Sequence, residues 1–340
     1  MTPELIVCGS LTLDNVVTAD GALLPRGPGG NVVYAALGAA LWGSRVGLVS
    51  RAGADFPEAF LSMLAARGLD IAGIARLSAP HGMNVAFAYD ADGSRVRAFP
   101  PATMARIPAA ERARFTDYTT HGPAHRHAVW SAFAPDAADL PAAWLADLQG
   151  AHLAAMPVAH HASLIGRLRR ARPAAHLQID SPWYDDRHPG QDLHGALLAQ
   201  ANLLLPSEAD LAAWRPAVPP LEAAAALARQ TACRILVKRG AAGCLLLGTD
   251  GAPALAVPAY PTAALDPTGA GDSFCGGVLA GLQRYRDLRR ALICGAATAS
   301  FTVAAPGIDG LAAATLAEAE HRAGWLATHT PPLRVTELLA

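Results

Sequence analysis

Short apolar runs alternate along this chain with longer segments of helical period, and that rhythm limits the fold more than any single motif does. Runs at Leu5–Cys8, Val46–Val49, Ala128–Phe133, His152–Ala155, His176–Ile179, Leu203–Leu205, Ile235–Val237 and Cys244–Leu247 read as strands. Between them Val32–Trp42, Phe56–Arg67, Ala162–Arg172 and Leu221–Gln230 read as helices, and Asp272–Arg284 with Arg289–Val303 as a closing helix pair. Strands that alternate with helices predict an α/β fold, with a mostly parallel central sheet flanked by helices on both faces. At 340 residues and 52% hydrophobic, the chain can bury the core of one large domain with a small appendage.

Three stretches break the rhythm. Leu11–Val17 reads as extended, with Asp14 in its middle and a turn near Asp20-Gly21. Met83–Tyr89 and Arg95–Phe99 alternate apolar and polar residues around Asp92-Gly93, which predicts a hairpin with a two-residue turn. Alternation leaves one face for water or for a partner, and a second copy of the hairpin is one such cover, so a homodimer is expected through it. Pro100–His127, rich in Arg, Pro, Thr and His, reads as an irregular surface excursion.

Composition removes several function classes. A formal net charge of −1 gives no electrostatic footprint for nucleic acid. No segment is apolar for long enough to span a bilayer, and Met1–Gly9 reads as a strand rather than a secretory leader. The five cysteines sit in apolar runs without a C-x-x-C pair, which predicts reduced thiols and a cytoplasmic protein. His121, His125, His127, His160 and His161 lack carboxylate or thiol partners at ligand spacing and read as solvated loop histidines rather than metal ligands. No G-x-G-x-x-G follows the first strand, which argues against a dinucleotide oxidoreductase. Of the 27 basic side chains, Lys238 is the sole lysine.

The densest chemistry lies in Asp266-Pro-Thr-Gly-Ala-Gly-Asp-Ser-Phe. Gly269 and Gly271 permit backbone conformations that a Cβ forbids, so the N–H groups of Ala270, Gly271 and Asp272 can converge at the start of an apolar helix. Such a nest, at the positive end of a helix dipole, suits a phosphate. Asp272 adds a carboxylate able to take a proton from an attacking hydroxyl, while Asp266 and Thr268 offer oxygens to a cation. The string reads as phosphoryl transfer to an alcohol; a tight turn with Asp272 as a plain helix cap is the competing reading.

The whole string D-x-T-G-A-G-D-S/T-F closely resembles the C-terminal signature of the ribokinase-like (PfkB) carbohydrate kinases, and the resemblance runs from Cys8-Gly9 to Gly307. It implies ATP and Mg²⁺, a small-molecule acceptor, and a small β-lid formed here by about residues 11–26 and 83–99. Gly9–Asp14 resembles the family's first motif, which implies that Asp14 accepts hydrogen bonds from sugar hydroxyls. Gly29-Gly30-Asn31 is similar to the G-G-N-x-x-N substrate motif, with a helix start capped by Asn31 as the competing reading; Tyr34 stands where the family often has Asn, and a phenol there reshapes the pocket or stacks on a ring. Phe87, Tyr89 and Phe99 of the lid are further stacking candidates. Pro206–Asp210 resembles the N-x-x-E motif that organises magnesium and phosphate, with Ser207 for Asn and Asp210 for Glu, Glu208 competing, and a simple cap by Ser207 an equal reading. Lys238–Gly243 resembles the loop bordering the nucleotide and places Gly240 and Gly243 there, with Lys238 either neutralising phosphate charge or merely ending a strand. Asp180, ending a strand in Asp-Ser-Pro, reads as a turn cap, with a site-facing carboxylate as the other reading. Val303–Gly307, beside Asp266 and Thr268, implies a monovalent cation such as K⁺. The resemblance thus implies ATP-dependent phosphorylation of a hydroxyl on a small sugar or sugar-like substrate. A nucleoside kinase, or a catalytically weak binding protein on the same scaffold, are the alternatives.

Overall fold

The computed structural model describes residues 2–18, 21–89, 95–96, 99, 101–115, 117–181 and 195–332. Among the described residues thirteen strands follow in order: β1 (Leu5–Cys8), β2 (Thr12–Val17), β3 (Leu23–Gly29), β4 (Val46–Ala52), β5 (Asp70–Arg76), β6 (Asn84–Tyr89), β7 (Arg95–Val96), β8 (Gly150–Leu153), β9 (His176–Ile179), β10 (Leu203–Leu204), β11 (Arg234–Lys238), β12 (Cys244–Leu247) and β13 (Pro253–Val257). The helices are α1 (Asn31–Ala40), α2 (Glu58–Ala66), α3 (Pro101–Arg106), α4 (Pro123–Phe133), α5 (Val158–Ala171), α6 (Gly195–Leu198), α7 (Glu208–Trp214), α8 (Pro220–Thr231), α9 (Ala270–Tyr285), α10 (Leu288–Thr302), α11 (Asp309–Ala313) and α12 (Leu316–His329).

Nine strands form the main sheet in the order β13-β12-β11-β10-β9-β8-β1-β4-β5. All pairs from β11 to β5 are parallel, and β12 and β13 add an antiparallel edge. Helices cover both faces, so β1 needs no polar alternation. Leu5 and Val7 pack with α1, α9 and α10, and Ile6 and Cys8 with α5, α7 and α8. Strand order reverses at β1, whose neighbours are β4 and β8, and open α/β sheets bind ligands at such a point, beyond the strands' carboxyl ends.

Three helices on one face lie backbone against backbone. A Cβ on Gly276 of α9 would stand 1.9 Å from the Ala35 carbonyl oxygen of α1, and one on Gly277 would be 2.9 Å from that of Cys294 in α10. Tight packing of this kind leaves the helices little room to slide.

The second sheet has the order β3-β2-β6-β7, with β2 and β6 parallel. Thr12, Asp14, Val16, Val85, Phe87 and Tyr89 alternate onto one face of β2 and β6, while Val17, Ala86 and Ala88 take the other. That other face is covered from within the chain, by Ile107 and Phe115 with Phe99 and Met104 beside them.

Several expectations need correction. Ala128–Phe133 is not a strand but the end of α4; its apolar run is too short for periodicity to decide, and Pro123 at the first turn opens a helix. The eighth strand starts two residues before the expected His152. The stretch from Pro100 to His127 carries α3, the start of α4 and 3₁₀ turns at Arg112–Arg114 and Tyr118–His121, so it is not wholly irregular. The pairs Ala88–Val96 and Tyr89–Arg95 enclose an odd number of residues, unlike a two-residue turn at Asp92-Gly93, which itself lies outside the described residues. Asp20 of the expected Asp20-Gly21 turn also lies outside them. Finally, His161 is fully buried on α5 rather than solvated in a loop.

Candidate active site

Gly269 adopts the left-handed conformation (φ 72°) as the N-cap of α9, and a Cβ there would lie 2.2 Å from the Tyr34 ring. Only glycine combines that φ with that approach. The Ala270 N–H is taken by the Pro267 carbonyl at 3.2 Å, so the open first-turn donors among the described residues are those of Gly271 and Asp272. Asp272 therefore lies inside the helix, and the cap position belongs to Gly269.

The α9 turn meets the beginning of the chain. Thr12, Asp14, Gly30, Asn31, Tyr34, Val85, Tyr118, Thr268, Gly269 and Asp272 line one cavity of about 190 Å³. Asp14 accepts a hydrogen bond from the Thr12 hydroxyl at 2.5 Å. Gly29 passes so close that a Cβ would overlap the Asp14 carboxylate, at 2.1 Å. Asn31 bridges the point where strand order reverses: its Oδ1 accepts from the Ser10 N–H after β1, and its Nδ2 donates to the Ala155 carbonyl after β8, each at 2.8 Å. Its amide thus holds the cavity wall together before any ligand binds. The Tyr34 phenol is pushed up by burial and then by the charges of Asp14, Asp266 and Asp272, so it stays neutral. Tyr89, from the second sheet, shares a hydrogen bond with the Thr268 hydroxyl and thereby ties that sheet to the turn ahead of α9.

Behind the turn lies a buried charged group. The Lys238 ammonium contacts Asp180 Oδ2 at 2.6 Å and Cys275 Sγ at 3.7 Å, with side-chain exposures of 13% for Lys238 and 5% for Asp180. A Cβ on Gly271 would stand 3.6 Å from the Lys238 Nζ, so the ammonium sits beside the open donors of α9. Burial pulls Lys238 down most, but Asp180 and the further acidic groups around it, Asp210 and Asp272 among them, together more than restore it, and it stays charged. Burial pushes Asp180 up, but Lys238, with His152 and the Ser181 N–H, together outweighs this and keeps it below the usual carboxylate range. Asp272 is raised from 3.8 to about 7, by burial first and the Asp180 charge second, with Lys238 opposing. A carboxylate poised there suits a general base at neutral pH.

His152, Asp180 and Cys275 bring ligand atoms within 4.8 Å of one another. Lys238 already supplies their cation, and burial lowers His152 to about 3, so the group reads as a charge network rather than a metal site.

Ser207 and Asp210 form a reciprocal cap on α7. Asp210 Oδ2 accepts from the Ser207 N–H at 2.8 Å and from its hydroxyl at 2.6 Å, and the Asp210 N–H donates back to Ser207 Oγ at 3.1 Å. Burial, then Asp180, raises the Asp210 carboxyl. Glu208 turns instead to Arg239, at 3.0 Å. Gly240 opens a 3₁₀ turn, and Gly243 lies against the end of β13, where a Cβ would be 2.1 Å from the Val257 carbonyl oxygen. Asp266 is fully buried and accepts from the N–H groups of Thr268 and Gly307, at 2.9 and 2.8 Å. The Val303 carbonyl accepts from Leu265 and Asp266. These two loops meet as expected, but by binding each other.

Of the residues singled out in the sequence, Asp14, Gly30, Asn31, Tyr34, Thr268, Gly269 and Asp272 line one cavity. Tyr118 was missed, since nothing local marks a tyrosine in a loop as a cavity wall. Phe87 and Tyr89 pack edge to face on each other, and Phe99 packs on Phe115; none of the three lines the cavity. Asp180 is the buried partner of Lys238 rather than a turn cap alone.

A family model described as pfkB family carbohydrate kinase matches residues 110–313. Cytidine kinase of Thermococcus kodakarensis is 27% identical over 297 residues, which cover 86% of this chain and 93% of that protein. Among solved structures, an Escherichia coli protein provisionally named ribokinase II, with ATP and Mg²⁺, superposes with a TM-score of 0.67 at 19% identity, covering 95% of this chain and 99% of the other. The Burkholderia thailandensis nucleoside kinase in complex with inosine gives 0.67 at 19%, covering 94% and 96%. With a glycine-capped helix, a carboxylate beside it and a family match over most of the sheet and its closing helices, this chain belongs to the pfkB family of carbohydrate kinases and is an ATP-dependent kinase.

Proposed function

We propose that the protein phosphorylates a hydroxymethyl group on a ribose-like sugar unit, using ATP. The observation that carries this reading is the meeting of Asp14 and Asp272 in one cavity, beside the open N–H groups of Gly271 and Asp272. Asp14, held by Thr12 and backed by Gly29, accepts hydrogen bonds from ring hydroxyls, with Gly30, Asn31 and Tyr34 as the remaining wall. The acceptor oxygen attacks the γ-phosphorus in line, its proton passes to the Asp272 carboxylate, and the bond to the β-phosphate oxygen breaks to release ADP. The first turn of α9 offers the Gly271 and Asp272 amides to the charge on the transferring group. The second sheet acts as a lid, held by Tyr89 on Thr268, and excludes water that would otherwise take the phosphate.

The nucleotide lies along the strand ends bearing Ser207, Lys238, Gly240 and Gly243. Magnesium fits a set of hard oxygen donors: Asp210 lies near Asp180, but its cap leaves it to act through water, a mode this ion favours. Held there through water by Asp210, magnesium would supply charge neutralisation to the phosphates. Asp266, Thr268 and the Val303 carbonyl already satisfy one another, so a monovalent cation forms no part of this proposal. The cover that Ile107 and Phe115 give the second sheet likewise removes the motive for a homodimer through it. Five buried free thiols support a cytoplasmic setting.

A second reading, a nucleoside as acceptor, is favoured by Tyr118 and Val85, which extend the cavity with an aromatic and apolar wall beyond Asp14. The similarity to a cytidine kinase agrees with it. A panel of pentoses, hexoses and nucleosides with Mg·ATP, scored by phosphorylated product, tests both. Product from nucleosides alone establishes the second reading, product from free sugars the first, and no product from any of them overturns both.

A further inference from the structure

Lys238 is the sole lysine in a chain where every other basic side chain is arginine. A sequence so biased toward arginine keeps lysine where a guanidinium does not serve. The surroundings supply the reason. The ammonium sits in a slot bounded by Asp180 Oδ2 at 2.6 Å, Cys275 Sγ at 3.7 Å and the Gly271 turn. That slot admits a compact point charge on a flexible stem; a planar fork with five donors would collide with the turn or leave buried donors without partners.

We propose that Lys238 is a catalytic residue that contacts the transferring phosphoryl group, and that Asp180 is the positioning residue which holds it beneath the first turn of α9. The inference rests on the kinase reading above and deepens it. Two positive features converge at one place: the open N–H groups of Gly271 and Asp272 from above, and the ammonium from below. An anion seated on those amides lies next to the Nζ. Asp180 fixes the stem and keeps the ammonium charged while the site is empty, which spares the protein an isolated buried cation. The arriving phosphoryl oxygens share the ammonium with Asp180, and as charge shifts onto the β–γ bridging oxygen and ADP, the lysine stabilises it. Lys238 carries no proton through the reaction; the acceptor's proton still goes to Asp272. The same ammonium opposes the upward push on the base, so it serves both ends of the transfer.

A sole lysine allows a direct test. Protein grown with [ε-¹³C]lysine gives one lysine methylene resonance that needs no assignment. It should shift on addition of magnesium with the β,γ-imido analogue of ATP and move far less with magnesium and ADP. Equal shifts with both, or none with either, overturn the contact with the γ-phosphoryl group. Kinetically, Lys238→Arg and Lys238→Met should lower kcat by about a hundredfold or more, the scale for losing one preorganised donor, with the KM for ATP changing by less than about threefold. The resonance test uses the native chain, so the proposal stays open to refutation even where a variant fails to fold. Asp180→Asn should lower kcat by a smaller factor and shift the lysine resonance in the unliganded protein. An Arg variant that turns over like the native enzyme overturns the proposal while the kinase reading stands. A γ-dependent shift in a protein that phosphorylates no acceptor overturns the kinase reading while the lysine site stands.

Discussion

Asp272→Asn removes a charge that the fold holds unfavourably, so the variant should be inactive as a kinase yet more stable than the native protein at alkaline pH. Burial first, then Asp180, raises the Asp272 carboxyl from 3.8 to about 7. A carboxyl raised in the folded state keeps its proton there while the unfolded chain would release it. The destabilisation is therefore absent below pH 3.8, grows between the two values and is complete above pH 7. At 1.36 kcal/mol for each pH unit, the interval sets an upper limit of about 4 kcal/mol. Asp272 faces the cavity and is partly exposed, so water screens some of this, and about 2–4 kcal/mol is expected. Unfolding entropy near 2.1 cal/mol/K per residue gives roughly 0.7 kcal/mol/K for this chain, hence a Tm increase of about 3–6 °C. Calorimetry of both ligand-free proteins at pH 8 and pH 5, with turnover measured in parallel, provides the check. The gap at pH 5 should be less than about half that at pH 8, because pH 5 lies early in the interval. In the native enzyme kcat/KM should fall about tenfold per pH unit below roughly pH 7, as the base takes up its proton. An Asn variant no more stable than the native protein at pH 8, or equally stabilised at both pH values, refutes a buried charge at Asp272. Substantial residual turnover refutes its role as base.

Gly269→Ala should lose most activity and about 1–2 kcal/mol of stability from the left-handed φ alone, with more from the contact on Tyr34; pairing it with Tyr34→Ala should recover part of the stability in thermal melts but not the φ component. Ser207→Ala removes the hydroxyl of the α7 cap and should cost about 1 kcal/mol in a urea titration, because Asp210 keeps its bond from the residue 207 N–H but loses the reciprocal one; a loss below about 0.3 kcal/mol would show that the cap contributes nothing.

The parallel sheet was legible because its inner strands are buried on both faces and keep no polar alternation. The strands that escaped notice are those with weak signals of their own. Leu23–Gly29 contains two prolines and two glycines, and lies at the edge of the second sheet. Asp70–Arg76 is a half-exposed edge strand, and Pro253–Val257 forms the opposite edge. The site divides in the same way. Asp272 could be named because its chemistry is local: two glycines, a helix start and a carboxylate within a few residues. Asp14 and Asn31 followed from short motifs. Asp180 did not, because its meaning depends on Lys238, 58 residues away, and a strand-end Asp-Ser-Pro looks like a turn until the lysine is placed beside it. Tyr118 and Tyr89 act through folds of the chain that no local pattern encodes.

The glycine-mediated contact of α9 with α1 and α10 makes the spacing across the active site a property of the main chain. Asn31 begins one of these helices and Asp272 lies in the first turn of another, so in the proposed site the gap between acceptor wall and phosphate nest is a ruler cut before either substrate arrives. A molecule that offers its hydroxyl one bond too near or too far cannot be met by a sliding helix; it must bend itself. Regiochemistry, the choice of which hydroxyl receives the phosphate, then rests less on the side chains that touch the acceptor than on glycines that never do.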